Sequence, residues 1–233
     1  MKKSICRIAE MKYKNIRIVE TLDGSHTLKS ADFDEHYHSV NGAVQESLHV
    51  FIKNGFHSVD KNKLSIFEAG FGTGLNAMLT FYEAEKCNKV VDYTALELYP
   101  IDENIFLRLN YAEILNMDSS KYFLPLHTCE WNRNIELSKS FIFRKVNIDL
   151  NEYAGNKLFD IIYFDAFSPE KQAELWTETV FEKMFSILNI GGILVTYSSK
   201  GEVKRNLRSA GFTVMRLQGA AGKHHMIQAI KNE

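Results

Sequence analysis

The sequence lacks three features that would place it in other classes of protein. Its three cysteines, Cys6, Cys87 and Cys129, are widely spaced and form no CxxC pair. This argues against a disulfide framework or a thiolate zinc site, and favours a reducing compartment. No apolar run is long enough to span a bilayer, and the basic first residues are not followed by the apolar segment of a signal peptide. We therefore expect a cytoplasmic protein.

An excess of one charge is also missing. The chain has 28 Lys and Arg residues against 29 Asp and Glu, a formal net charge of −1. No overall basic field therefore attracts nucleic acid, and a nucleic-acid partner would have to be held by a local patch. Apolar residues are plentiful, at 45% of the 233 residues, which is enough to build the core of one large domain.

The order of the apolar segments predicts an α/β fold. From Leu64 onward, short continuous apolar runs alternate with helical patterns, as a parallel sheet covered on both faces requires. The expected strands are LSIFEA, VDYTALEL, FIFRKVNI, LFDIIYFDAF, GGILVTYSS, FTVMRLQ and HHMIQAIK. We predict a Rossmann-like, mostly parallel seven-stranded sheet that ends in an antiparallel hairpin. Helices are predicted over residues 75–86, 102–110, 172–188 and 201–210, whereas 111–140 has no clear periodicity and is interpreted as a helical or loop insertion.

A small appendage is predicted before this domain. The stretch IRIVETLDGSHTLKS alternates apolar and polar residues around Asp23 and Gly24, a pattern typical of a β-hairpin. The next segment has apolar residues at helical spacing from Val44 to Ile52, with Gly55 as a stop. We expect residues 1–58 to form the appendage and a covering helix, and residues 59–233 to form the α/β domain.

The stretch FEAGFGTGLN is the first candidate for a ligand site. Gly70, Gly72 and Gly74 follow a strand and open a helix, where missing Cβ atoms let the backbone approach a ligand. A dinucleotide fingerprint would need its third glycine where Leu75 stands. Glu68 is a poor neighbour for a pyrophosphate and a good one for a cation, which favours S-adenosylmethionine (SAM) as cofactor. The alternative is an ordinary turn in which Glu68 bonds to loop amides.

Three further predicted strands end in an acid: Glu97, Asp149 and Asp165. In an open α/β sheet, ligands bind beyond the carboxyl ends of the strands. Glu97 lies where a ribose-binding carboxylate follows a glycine loop. Asp149 could meet the adenine amino group. Any one of these acids could instead cap a loop or a helix.

The sequence DAFSP suggests what reaction the site performs. Asp165 is followed by Phe167, Ser168 and Pro169, which predict a rigid turn. An amine acceptor of a methyl group must expose its lone pair, and a carboxylate can orient the amine and take its proton, a contribution of typically ~10²–10⁴-fold. Phe167 could flank a flat acceptor. The alternative makes Phe167 a core residue and Asp165 a cap.

Several longer stretches resemble one family. They are DFDEHYHSVNGAVQES, EAGFGTGLN, ALELYP, FDAFSPEKQAELWTETVFEKMFSILNIGGILVTYSSKGEVKRNLRSAGFTV and GKHHMI, and together they cover nearly the whole chain. They resemble the tRNA 5-methylaminomethyl-2-thiouridine methyltransferases, known as MnmD or as the methyltransferase domain of the bifunctional MnmC. The resemblance implies a SAM-dependent methyltransferase fold. It also implies N-methylation of the aminomethyl group on wobble uridine 34 of tRNA.

The resemblance also implies roles for individual residues. Glu68 and the three glycines would form the SAM loop, Glu97 would hold the ribose, and Asp165 would face the reacting amine. The segment YHSVNGAVQES would cover the cofactor, which makes Tyr37 and Glu46 further cofactor-binding candidates. The sequence has no room for the FAD-dependent oxidase of the bifunctional members, so we expect a separate enzyme to supply the aminomethyl group.

A tRNA substrate needs cationic contacts for its phosphates. Candidates are Lys200 and Arg205 on the late helix and Lys223 in the final turn, although each could be a solvated surface charge. The wobble uridine lies in a single-stranded loop and can therefore enter a pocket at low cost. No metal site is expected. Two alternatives remain at this point: a SAM-dependent methyltransferase for a small-molecule amine, and a catalytically silent SAM-binding module.

Overall fold

The computed structural model describes residues 16–232, so residues 1–15 of the predicted appendage, with Cys6, lie outside the described part of the chain. The first elements form a three-stranded antiparallel sheet of β1 (Ile16–Glu20), β2 (His26–Ser30) and β3 (Glu35–His36). In the turn between β1 and β2, Gly24 has φ 81° and Asp23 Oδ1 accepts a hydrogen bond of 3.0 Å from Ser25 N. The predicted N-terminal hairpin is confirmed.

A helical segment follows this small sheet. It begins as α1 (Ala43–Ser47), continues as a π-helical stretch (Leu48–Lys53) and ends before a 3₁₀ turn (Phe56–Ser58). A Cβ atom at Gly55 would lie 2.3 Å from the carbonyl oxygen of Phe51, so a side chain does not fit where the helix stops. The predicted division into two units at residue 58 stays a prediction.

The central sheet has eight strands in the order β10-β11-β9-β8-β4-β5-β7-β6. The strands are β4 (Lys63–Ala69), β5 (Val90–Leu96), β6 (Ile135–Ser138), β7 (Phe141–Val146), β8 (Phe159–Phe164), β9 (Leu188–Thr196), β10 (Thr213–Gln218) and β11 (His225–Ile230). Strands β9, β8, β4, β5 and β7 are parallel, whereas β10, β11 and β6 pair antiparallel. The seven predicted strands and the terminal hairpin are confirmed, and β6 adds an eighth strand.

Helices cover both faces of this sheet. They are α2 (Leu75–Lys86), α3 (Glu103–Phe106), α4 (Tyr111–Ile114), α5 (Ser119–Tyr122), α6 (Leu124–Thr128), α7 (Glu178–Ser186) and α8 (Gly201–Ser209). Strand β8 shows why its sequence is a continuous apolar run. Ile161 and Tyr163 pack into the core on one face, and Ile162 and Phe164 pack into the core on the other. Side chains of a strand alternate between faces, so a strand buried on both faces must be apolar throughout.

Two predicted helices are shorter than expected: one ends early and the other starts late. The carboxylate of Asp102 accepts a hydrogen bond of 2.8 Å from Asn104 N and starts α3, which then ends at Phe106. The hydroxyl of Thr177 accepts from Val180 N at 3.3 Å and starts α7, after a separate 3₁₀ turn (Ala173–Leu175).

The region 111–140 contains three short helices and β6, so its interpretation as a helical or loop insertion missed one strand. Within residues 16–232, no helix combines the length and the apolar character needed to cross a membrane.

Candidate active site

A cleft opens at the edge of the sheet where β4, β5, β7 and β8 end. Its lining includes Gly70, Gly72, Glu97, Asp149 and Asp165, which follow these four strands. Because the four strands are parallel, their carboxyl ends meet at one edge, as the sequence predicted. Five residues that lie up to 95 positions apart in the chain are thus brought around one space.

The glycine loop brings its backbone against the end of β8. A Cβ atom at Gly70, where φ is 92°, would lie 2.6 Å from the carbonyl oxygen of Asp165. At Gly72, where φ is 50°, it would lie 3.2 Å from the ring of Tyr37. Gly74 is different, since its Cβ would meet His127 Nε2 at 2.8 Å and the residue does not line the cleft. Two of the three glycines therefore shape the cleft, and the third allows α2 to begin beside His127.

Glu97 is held in a fixed orientation beside the glycine loop. Its carboxylate accepts hydrogen bonds from Gly72 N at 2.8 Å and from Tyr99 N at 2.7 Å. Burial raises its pKa, and these backbone donors oppose that rise. Asp149 lines the same cleft and also caps the 3₁₀ turn Leu150–Glu152, because its Oδ1 accepts from Asn151 N at 2.8 Å. Asp149 is therefore both a cap and a cleft residue.

Asp165 is joined to Glu68 through a residue that the sequence analysis missed. Asn76 Nδ2 donates to Asp165 Oδ2 at 2.8 Å and to Glu68 Oε1 at 3.1 Å. Glu68 is 0% exposed and does not line the cleft, and its role in cofactor binding stays a prediction. Asn76 lies in the first turn of α2, and its position directly after G-T-G-L was the available signal.

Burial dominates the electrostatics of this carboxyl pair. It raises the pKa of Asp165 to about 7, with a further rise from the charge of Glu46, while Asn76 and the ammonium of Lys223 oppose it. The pKa of Glu68 rises well above its usual value through burial and the nearby charge of Asp165. Hydrogen bonds from the side chains of Asn76 and Tyr93 oppose this rise. Near neutral pH, Asp165 can therefore hold or release a proton.

Aromatic rings form one wall of the cleft. Phe167 stacks on Phe33 with ring centroids 4.5 Å apart, and meets Tyr37 edge-on at 4.9 Å. The backbone of Phe167 is held in place, since its carbonyl accepts a bond of 2.7 Å from Trp176 Nε1 and its N–H donates to Gln172 Oε1 at 3.1 Å. The alternative that Phe167 is a core residue is therefore wrong, because it lines a cleft and is only partly buried.

The rest of the DAFSP turn has a structural role. Ser168 donates from its N–H at 2.9 Å and from its hydroxyl at 3.0 Å to Glu35, which ties the turn to β3. Ser168 and Pro169 line neither the cleft nor its neighbouring pocket. Ala166 is not among the residues with positive φ, so this position does not require glycine.

A second pocket adjoins the cleft. Tyr37, Ala166 and Phe167 line both spaces, and the second pocket also contains Glu46 and Lys223. Glu46 was predicted to bind the cofactor, but the structure places it here, outside the lining of the cleft.

Two of the three candidate cations for phosphate lie outside both the cleft and the second pocket. Lys223 lines the second pocket, where its ammonium pairs with Glu46. Lys200 and Arg205 are exposed and line neither space, and Lys200 pairs with Glu170. Of the three candidates, Lys223 thus lies beside the cleft, and the contact of each with phosphate stays a prediction.

The cleft has the chemistry of a site for a cationic nucleoside. Of the described residues that line it, none is lysine, arginine or histidine, whereas Glu97, Asp149 and Asp165 supply carboxylates. Glu174 adds a fourth carboxylate, and the remaining lining is mostly leucine, isoleucine and aromatic side chains. A pyrophosphate would meet only negative charge here. SAM carries a sulfonium and an amino group and no phosphate, and therefore fits.

One cluster elsewhere has metal-ligating side chains. The ligand atoms of His57, Glu83 and Cys87 lie within 4.8 Å of one another. Glu83 is already paired with His57 and with the ammonium of Lys86, both at 3.0 Å. The expectation that the protein holds no metal stays a prediction.

Comparison with known proteins agrees with this site. The model of a family described as S-adenosyl-L-methionine-dependent methyltransferase matches residues 103–232. The chain belongs to this family. SAM is therefore the cofactor, as the glycine loop and Glu68 had indicated.

Individual relatives narrow the resemblance within this methyltransferase family. Two are named tRNA 5-methylaminomethyl-2-thiouridine biosynthesis bifunctional protein MnmC. The protein from Cupriavidus metallidurans is 29% identical over 89% of this chain and 33% of its own length. The protein from Pseudoalteromonas translucida is 30% identical over 84% of this chain and 33% of its own length. The chain thus spans about a third of these relatives. The resemblance to the MnmC methyltransferase domain is confirmed.

Solved structures agree on the fold. The crystal structure of MNMC2 from Aquifex aeolicus superimposes with a TM-score of 0.74 at 24% identity, over 98% of this chain and 76% of that chain. Spermidine synthase from Thermotoga maritima gives a TM-score of 0.57 at 14% identity, over 94% and 69% of the two chains. At these identities the likeness shows the methyltransferase fold, and the reaction must be argued from the site.

Proposed function

We propose that this methyltransferase transfers the methyl group of SAM to the primary amine of an aminomethyl group on wobble uridine 34 of tRNA. The observation that carries the proposal is the position of Asp165. Its carboxyl lines the cofactor cleft, beside the wall that separates the cleft from the second pocket, and its pKa of about 7 suits proton exchange near neutral pH. The names of the relatives add support for a tRNA substrate.

The residues of the cleft would bind SAM by charge and shape. Glu97 would accept hydrogen bonds from the ribose hydroxyls, and Asp149 would meet the adenine amino group. Gly70 and Gly72 would let the backbone approach the amino-acid part of the ligand. When bound, SAM supplies an electrophilic methyl carbon, whose bond to sulfur breaks as the bond to nitrogen forms, with the electron pair remaining on sulfur.

Asp165 would prepare the acceptor. An alkylamine, like the lysine ammonium with its pKa of roughly 10.4, is protonated at neutral pH and has no free lone pair. The ionised carboxylate of Asp165 would accept a hydrogen bond from the amine, turn its nitrogen toward the cleft and receive the proton it loses. Asn76 keeps the carboxylate in this orientation through its bond of 2.8 Å. The aromatic wall would exclude water from the reacting atoms.

The proposal extends to the setting of the reaction. The enzyme would act in the cytoplasm on the anticodon loop of tRNA, after a separate enzyme has formed the aminomethyl group. Lys223 is the predicted cation that lies next to the reacting centre. Lys200 and Arg205 would contact phosphates only if the tRNA also covers α8.

A direct assay tests this function. The protein and SAM are incubated with tRNA from cells that lack the modification, and the nucleosides are analysed by mass spectrometry. A gain of one methyl group on 5-aminomethyl-2-thiouridine is expected. Methylation of free amines without methylation of tRNA would support the small-molecule alternative. Binding of SAM without transfer to either substrate would support a silent binding module.

A further inference from the structure

The second pocket combines acidic and aromatic side chains. Glu35 and Glu46 line it, together with the rings of Tyr37, Phe167 and Tyr197. Aromatic faces next to carboxylates are the surroundings in which proteins bind organic cations. The pocket shares its wall with the SAM cleft, so a ligand there lies beside the cofactor.

Lys223 is the cation of this pocket at neutral pH. His36 and His38 also line it, but burial lowers the pKa of both, that of His38 to about 4. His38 is fixed by a bond of 2.8 Å between its Nε2 and the hydroxyl of Thr73. Counting Glu35, Glu46 and Lys223, the described lining therefore has an excess of negative charge before Asp165 is added.

The ammonium of Lys223 lies in a position that the ammonium group of a bound ligand could also occupy. It bonds to Glu46 Oε1 and lies 4.1 Å from the centroid of the Tyr197 ring. Glu46 is almost completely buried, with its side chain 6% exposed. Its other carboxylate oxygen, Oε2, accepts a hydrogen bond of 2.9 Å from Ser39 N. The Lys223 side chain is 33% exposed and belongs to a turn, so it can swing out while Glu46 stays.

We propose that the second pocket holds the acceptor base, and that the protonated amine of the acceptor replaces the Lys223 ammonium against Glu46 and Tyr197. The ligand class is a nucleobase that carries a primary alkylamine in its cationic form. This inference rests on the proposed function and adds a subsite to it. Glu46 then selects the charged amine, and Asp165 next to it takes the proton. The displaced Lys223 is free to pair with a phosphate of the same RNA.

Binding measurements test the subsite. The probes are two anticodon stem-loop RNAs, one with 5-aminomethyluridine at the wobble position and one with uridine, and the dissociation constants are measured by fluorescence anisotropy at fixed salt. The wild-type protein should prefer the aminomethyl RNA. Glu46→Gln should reduce this preference about tenfold, because a hydrogen bond to a charged group contributes roughly 1.5 kcal/mol or more. Glu113→Gln, an exposed residue on α4 that lines neither space, is the matched control and should keep the preference.

The variant Lys223→Met distinguishes replacement of the Lys223 ammonium by the acceptor amine from a simple contact between Lys223 and a phosphate. This test remains valid if Glu46→Gln does not fold. Removal of the competing ammonium should increase the preference for the aminomethyl RNA. An equal loss of affinity for both RNAs, or no preference in the wild-type protein, would overturn the proposal, as would an unchanged preference in a folded Glu46→Gln protein. Methyl transfer is measured in the same samples by mass spectrometry. Absence of transfer in the wild-type protein refutes the proposed reaction, whatever the binding ratio shows.

Discussion

Replacement of Asp165 by asparagine should make the stability of the protein less dependent on pH. The pKa of this carboxyl is about 7 in the folded protein, against 3.8 in its ordinary state. Between these two values the folded protein binds a proton that the unfolded chain has lost. The free energy of unfolding therefore falls as the pH rises from about 4 to about 7. The full effect is up to about 4 kcal/mol, since one pKa unit corresponds to about 1.36 kcal/mol.

Urea unfolding at about pH 5 and about pH 8.5 measures the contribution of the Asp165 carboxyl to the free energy of unfolding. This contribution should differ by roughly 3 kcal/mol between the two pH values. The wild-type protein should lose that much more stability than Asp165→Asn over the interval. The hydrogen bond from Asn76 favours the ionised carboxylate and is already included in the pKa of about 7, so the comparison measures the net effect of the carboxyl group. Asp118→Asn is the control. Hydrogen bonds from Ser120 hold the pKa of Asp118 below its usual value, so this residue stays ionised throughout the interval.

Asp165→Asn also tests the catalytic role of Asp165. The rate of methyl transfer to the acceptor should fall by roughly 10²–10⁴-fold, the usual contribution of a positioned acid or base. The dissociation constant for SAM should change little, because the proposed partner of Asp165 is the acceptor. If the free energy of unfolding of Asp165→Asn depends on pH as strongly as that of the wild-type protein, the conclusion that burial raises the pKa of Asp165 is refuted. Normal turnover would refute the catalytic role.

Three further changes test the architecture of the site. Gly70→Ala should lower the free energy of unfolding by about 2 kcal/mol more than Gly191→Ala in thermal or urea unfolding. Both glycines have positive φ, but only at Gly70 does the Cβ meet backbone, at 2.6 Å from the carbonyl oxygen of Asp165; equal losses would contradict the close approach. Glu97→Ala should weaken SAM binding about tenfold in calorimetry through loss of a charge-assisted contact, and an unchanged affinity would count against the ribose contact. Thr177→Ala removes the cap of α7 and should destabilise the protein by about 1 kcal/mol, which unfolding by urea measures; no change would show that the bond to Val180 N is dispensable.

The sequence predicted those parts of the protein that depend on local pattern. The strands of the central sheet are readable because a strand buried on both faces must be apolar throughout, as in β8. The edge at which ligands bind follows from parallel pairing, so Glu97, Asp149 and Asp165 could be assigned to it in advance. Strand β6 was missed, since its four residues carry too little pattern to be recognised.

Tertiary packing decided which of the candidate residues share a space. Glu68 and Asn76 are eight positions apart, and only the tertiary structure shows that the amide of Asn76 lies between Glu68 and Asp165. Glu46 and Lys223 are 177 positions apart, yet they form one ion pair in the second pocket.

Residue types and spacing thus determined the fold, the cofactor and the edge of the sheet that binds it, because these depend on periodicity and backbone geometry. The layer in which each carboxylate lies, and the partner it meets, depend on contacts between distant segments. These contacts leave no local signal in the chain, so the structure alone assigned Glu68 to the buried layer and Glu46 to the second pocket.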